Sequence, residues 1–241
     1  MSQKLLVLGA SSEMGLGLIQ ASDTLYDEII CHYHAHDDKL RELKKSMMTP
    51  LITLQGDFSN EAGILGFVEQ LSKIEGITHV VHCPSIPVDL KAFKKTKWDN
   101  TKQMIDVSVH SIYEVLKVLL PSMTKAKKGK VVFILSSYTS GLAPAFMSDY
   151  ITSKYALLGL MKALSSEMAS HHVCINAVSP SLTETVFLQN IPALAVEMSA
   201  EKNPMKRNAL VKDIVPMIKF LLSDEADFIT GQNILVSGGE Q

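Results

Sequence analysis

The chain has 241 residues, 46% of them hydrophobic and 20% charged, with 23 Lys and Arg against 25 Asp and Glu for a formal net charge of −2. That balance, without a long block of one sign, argues against nucleic acid as a partner, and no stretch approaches the roughly 20 apolar residues that a membrane-spanning helix needs. The apolar run Leu5–Leu8 is too short for a secretion signal, and Cys31, Cys83 and Cys174 form no CxxC pair, so neither a metal site nor a disulfide framework is expected and a reducing, cytoplasmic setting fits.

Short apolar runs alternate with longer helical patterns along the chain. Lys4–Leu8 reads as a strand and Gly15–Ser22 as a helix; Glu28–Tyr33 is a second strand, followed by a helix over Asp37–Ser46. Leu51–Leu54 is a third strand, with a helix across Asn60–Ile74, and His79–His82 a fourth. Met104–Met123 is one long helix, Lys130–Leu135 a fifth strand, Ser148–Ser170 another long helix and Val173–Val178 a sixth strand. Val211–Leu222 is helical and Asn233–Val236 is a last short strand. The alternation implies an α/β fold, a doubly wound parallel sheet with helices on both faces. Continuous apolar strands suit a sheet buried on both sides. No linker-like tract divides the chain, so residues 1–241 read as a single domain. Ligands of such sheets bind beyond the carboxyl ends of the strands, and the residues just after each strand are the ones to inspect.

The first strand runs directly into Gly9-Ala10-Ser11-Ser12-Glu13-Met14-Gly15. Small residues there let backbone approach a pyrophosphate, and the helix that follows offers unpaired N–H groups and a positive dipole end. A plain strand-to-helix turn would need the same glycines, and G-x-G-x-x-G is not matched. Asp57, after the third strand and before Phe58, is placed to accept from an adenine amino group or to cap the next turn. The second strand ends His32-Tyr33-His34-Ala35-His36, with no acid before Asp37 to bind a ribose diol and repel a 2′-phosphate. His32 and His36 read equally as exposed polar residues. The lean is toward NADP over NAD.

Beyond the fifth strand lies Ser137, and thirteen residues later Tyr150, with Lys154 one helical turn further on the same face. Ser148 is placed to cap that helix. Hydride arriving at a ketone puts negative charge on its oxygen, which an acid must then protonate. A free phenol has a pKa of about 10, and a neighbouring ammonium is expected to lower it. Ser137 would donate to the substrate oxygen and orient it. Tyr-x-x-x-Lys alone is common by chance, as a buried tyrosine with a snorkelling lysine. The upstream serine and the glycine-rich first turn give it weight.

Together these motifs resemble the short-chain dehydrogenase/reductase family, nearest to its 3-oxoacyl-acyl-carrier-protein reductase-like members, over about Lys4 to Gly239. The turn at Gly9, Ser11, Ser12, Met14 and Gly15 looks like the family's nucleotide loop. Ser137, Tyr150 and Lys154 match its Ser, Tyr and Lys. Asn176-Ala177-Val178-Ser179-Pro180 resembles the segment leading to the nicotinamide, with Thr185 at its usual threonine. Ile229-Thr230-Gly231-Gln232 and Val236-Ser237-Gly238-Gly239 resemble its C-terminal signature. The resemblance implies a seven-stranded Rossmann-like sheet, a homo-oligomer (tetramer or dimer) built partly on the two long helices, and a carbonyl or alcohol substrate, an acyl-thioester among the candidates. It also implies cofactor contacts at His34, Asp57, Phe58, Cys83, Pro84, Ser85, Tyr150, Lys154, Pro180, Ser181, Leu182, Thr183 and Thr185.

Four departures mark a divergent member. Glu13 stands where glycine is usual, and glutamate does not adopt positive φ cheaply. His82-Cys83-Pro84-Ser85 replaces Asn-Asn-Ala-Gly, and Pro84 offers no N–H. Ser108 falls where an active-site asparagine is expected, which puts the usual proton relay through Lys154 in question. Ser181 replaces the glycine after Pro180. Residues 185–207, with Phe187, Leu188, Ile191, Leu194 and Met198, read as a lid over an apolar substrate or as a subunit contact. The stretch around Trp98, with Lys91, Lys94, Lys95 and Lys97, reads as a solvated face or a dock for an acidic carrier protein. Two functions follow: an NAD(P)(H)-dependent carbonyl reductase or alcohol dehydrogenase, and, on the altered positions, a non-catalytic dinucleotide-binding regulator or scaffold.

Overall fold

A computed structural model describes residues 3–240. Seven strands form one parallel sheet: β1 (Lys4–Leu8), β2 (Glu28–Tyr33), β3 (Leu51–Gln55), β4 (Ile77–His82), β5 (Gly129–Ile134), β6 (Val173–Pro180) and β7 (Asn233–Val236). Their order is β3-β2-β1-β4-β5-β6-β7. The helices are α1 (Glu13–Ala21), α2 (Asp38–Lys44), α3 (Glu61–Leu71), α4 (Trp98–Ile105), α5 (Ser111–Ala126), α6 (Ser148–Met168), α7 (Ala193–Lys202) and α8 (Val211–Leu222).

Each face of the sheet carries its own core. Leu6, Leu8, Val80, Val131, Phe133 and Ile175 pack against α3, α5 and α6. On the other face, Leu5, Val7, Ile29, Val81, Val132 and Val178 pack against α1, α2 and α8. Adjacent residues of β1 thus enter opposite cores, which is why the strand is apolar throughout. Each such fully buried aliphatic side chain contributes roughly 1.5–3 kcal/mol. Strand order reverses between β1 and β4, and the crevice beyond their carboxyl ends is the expected ligand position.

Beyond shifts of element ends, two regions depart from the expectation. The single helix expected over Met104–Met123 is three pieces: α4, a π-turn over Asp106–His110, and α5. Ser148 is the first residue of α6 rather than its cap; Met147 holds the cap position without a side-chain bond, and the Ser148 hydroxyl turns to Asp149. Thr101 on α4 donates to the same Asp149 carboxylate at 2.8 Å, tying α4 to the start of α6.

Candidate active site

A cavity of about 770 Å³ opens beyond the carboxyl ends of the strands. Its floor at the switch point is the β1–α1 turn. Gly9 takes φ +73°, and a Cβ on Gly15 would lie 2.6 Å from the Gly9 carbonyl oxygen, so only glycine lets the helix start this close to the strand. Ser12 caps α1: its hydroxyl accepts from the Gly15 N–H at 3.1 Å and donates to the Gly9 carbonyl at 2.7 Å. Gly9, Ser11, Ser12 and Met14 line the cavity, whereas Gly15 lies behind the turn and acts only by its smallness. Glu13 is an ordinary helical residue, so its predicted strain does not arise.

Beside this turn, His34, Asp57 and Phe58 line the cavity, as do Cys83, Pro84 and Ser85 beyond β4. Asp57 has the turn-capping role: its carboxylate accepts from the Ser59 N–H at 2.9 Å and from Asn60 at 2.9 Å, with His34 Nε2 at 3.3 Å. Hydrogen bonds from Ser59 hold it below the usual carboxylate range. The reading of His32 as exposed is corrected. It is 3% exposed and stacks on Phe58 with ring centroids 3.9 Å apart. Its Nδ1 accepts from the Gly9 N–H, which assigns the proton to Nε2, donated to the Gly56 carbonyl. His32 therefore braces the β1 and β3 turns against each other.

Tyr150 and Lys154 reach the cavity from the opposite wall, on the first two turns of α6. Both are buried, and the Lys154 ammonium lies 5.5 Å over the Tyr150 ring and donates to the Ile134 carbonyl at 2.9 Å. The expected depression of the phenol is absent. Burial, opposed by the Ser136 side chain, pushes Tyr150 up to about 12. Burial likewise pushes Lys154 down to about 8. The cost of placing either charge in a buried wall sets both directions.

The serine facing Tyr150 is Ser136, which lines the cavity; Ser137 does not, and its hydroxyl is buried without a partner. Counting thirteen residues back from Tyr150 selected Ser137, whereas the first residue past Leu135, where the apolar run of β5 ends, is Ser136. Ser108 is also not on the cavity wall. It is fully buried in the π-turn, its hydroxyl unpartnered, and its carbonyl accepts from His82 Nε2 at 2.8 Å. Burial holds His82 neutral, near 3.

Pro180, Ser181, Leu182, Thr183 and Thr185 line the cavity beyond β6, where Ser181 needs no positive φ. Val186, Phe187, Leu188 and Ile191 cover it, with the Phe187 ring 6.0 Å from that of Tyr150. Leu194 and Met198 point outward instead. Ile86, Val88, Leu90 and Met147 complete an apolar end. Sequence reading missed these four, along with Lys39, Ser136 and the cavity-facing position of Glu13. Among the described residues no helix is long and apolar enough to cross a membrane.

Residues 9–241 match a family profile described as Enoyl-(Acyl carrier protein) reductase. The chain is 25% identical to the 3-oxoacyl-[acyl-carrier-protein] reductase of Staphylococcus epidermidis, covering 99% of each. It is 24% identical to that of Buchnera aphidicola subsp. Baizongia pistaciae, over 97% of this chain and 95% of the relative. Among solved structures, a 3-oxoacyl (acyl-carrier-protein) reductase from Agrobacterium tumefaciens C58 with NADP bound superposes with TM-score 0.89 at 21% identity, covering 99% of this chain and 94% of that one. With the seven-stranded sheet and the profile running through nearly its whole length, the chain belongs to the short-chain dehydrogenase/reductase family and is an oxidoreductase acting on carbonyl or CH–OH groups.

Proposed function

We propose that this enzyme reduces a carbonyl on an apolar substrate with NADPH, Tyr150 serving as the proton donor. The observation that carries the reading is the meeting of Tyr150, Lys154 and Ser136 on one wall of a cavity whose other end is the Gly9–Gly15 turn. That turn suits a dinucleotide diphosphate: glycine at both ends, a capped helix, and Glu13 and Met14 N–H groups without acceptors among the described residues. Lys39 and His34 on the cavity wall favour a ribose 2′-phosphate, and Asp37 is engaged with Arg41 at 2.8 Å. The similarly folded Agrobacterium reductase was solved with NADP. When bound, the dinucleotide supplies the hydride.

The chain's own residues handle the proton. A phenol held near 12 is protonated at neutral pH, so Tyr150 is ready to donate to the carbonyl oxygen as it gains charge. Ser136 donates to the same oxygen and orients it. Lys154, near 8, keeps its proton at neutral pH and returns one toward the phenol. Phe187 and Ile191 exclude water over Tyr150, so residues 185–207 act as the substrate lid. The apolar end formed by Ile86, Val88, Leu90 and Met147 accommodates an acyl chain or ring, consistent with the acyl-carrier-protein reductases among its relatives. Exposed Phe220 and Phe228 support a homo-oligomer.

Calorimetry with NADPH and NADH, followed by turnover on 3-oxoacyl thioesters and small ketones, tests the reading. Binding of NADPH at least about tenfold tighter, with turnover of 3-oxoacyl thioesters, is expected. Tighter NADH binding overturns the cofactor choice, and no turnover on any carbonyl overturns the function.

A further inference from the structure

Glu13 does something that glycine at its position would not do. Its carboxylate Oε2 accepts from the Val186 N–H at 2.7 Å, joining two segments 173 residues apart. Val186 opens the short helical turn Val186–Leu188, and the next residue is Phe187, whose ring covers Tyr150. Glu13 is also the first residue of α1 and lines the cavity beside Ser12 and Met14. One carboxylate therefore holds the cover over the phenol and occupies the helix end that would receive a diphosphate.

We propose that Glu13 is a positioning residue that ties the cover to the nucleotide turn and, by its charge, opposes the dinucleotide diphosphate. The cover is thus held over Tyr150 whether or not nucleotide is bound, and the nucleotide binds less tightly and leaves more readily than it would beside an uncharged residue. The proposal rests on the reading that this turn takes a dinucleotide.

Two variants separate the bond from the charge. Glu13→Gln keeps an oxygen to accept from the Val186 N–H but removes the charge, whereas Glu13→Ala removes both. Affinity for NADPH is read by calorimetry at low salt and at about 1 M salt, where exposed charges are screened. Hydrogen exchange of the unliganded protein is read in the peptide spanning residues 183–191. Glu13→Gln is expected to bind NADPH about three- to tenfold tighter at low salt, the gain shrinking at high salt, with exchange as in the parent. Glu13→Ala is expected to exchange several-fold faster in that peptide. Unchanged or weaker NADPH binding by Glu13→Gln overturns the charge half, and unchanged exchange in Glu13→Ala overturns the tie. If the parent chain binds no dinucleotide, the functional reading fails and the charge half with it, while the exchange comparison still decides the tie.

Discussion

Ser136 and Ser137 follow one another at the end of β5, yet one hydroxyl meets the cavity and the other is shut into the protein. A donor aimed at the oxygen that gains charge contributes roughly 10²- to 10³-fold to rate. Ser136→Ala is accordingly expected to lower kcat by about that factor, while Ser137→Ala changes it by less than about threefold. Removing the unpartnered Ser137 hydroxyl also leaves stability unchanged or slightly higher, since a buried polar group without a bond is a cost. Steady-state kinetics and urea unfolding of the two variants check both statements. A large loss confined to Ser137→Ala would restore the serine chosen by spacing from Tyr150. That Tyr150 and Lys154 share one cavity wall was legible because i and i+4 lie on one helix face and the upstream serine and glycine-rich turn singled the pair out. Which of the two adjacent serines lines the cavity was not, because loop length is not fixed by any period.

Among the elements, the strands were legible because both faces of the sheet are covered and each strand is an unbroken apolar run. Their starts and ends agree with the structure to within two residues. Helix ends were less legible where capping decides them. Ser12, not Gly15, marks the start of α1, and Asn60 caps α3 by accepting from the Gly63 N–H at 2.9 Å. The π-turn over Asp106–His110 was invisible, because one widened turn leaves the apolar pattern on either side intact. His82 ties β4 to this π-turn by donating to the Ser108 backbone carbonyl at 2.8 Å. The apolar composition of residues 185–207 was legible, but which of those residues line the cavity depends on the turn at Val186–Leu188 and the placement of α7.

Across the whole molecule, three histidines are sealed into the strands. His32, His79 and His82 are each at most 3% exposed, and burial lowers them from 6.5 to about 4, about 4 and about 3. Above pH 6.5 neither the folded nor the unfolded chain protonates them. As pH falls from 6.5 toward 4, the unfolded chain takes up protons that the folded chain refuses, so stability falls over that window. The loss is on the order of 1 kcal/mol per pH unit per histidine. Urea unfolding at about pH 7 and about pH 5 should show a loss of several kcal/mol, smaller in His79→Gln; equal stability at the two pH values would show that the histidines are not held neutral. The same sheet places the cavity, whose Gly9–Met14 and Cys83–Ser85 walls lie beyond β1 and β4, where strand order reverses.

The assignment of the proton to Tyr150 is tested most directly by comparing Tyr150→Phe with the parent chain, measuring NADPH binding by calorimetry and carbonyl reduction by NADPH consumption. The phenylalanine ring keeps the wall packed beside Phe187 and lacks only the hydroxyl. Binding within about threefold of the parent and a fall in kcat of roughly 10²- to 10⁴-fold are predicted. Undiminished reduction by Tyr150→Phe would contradict the account.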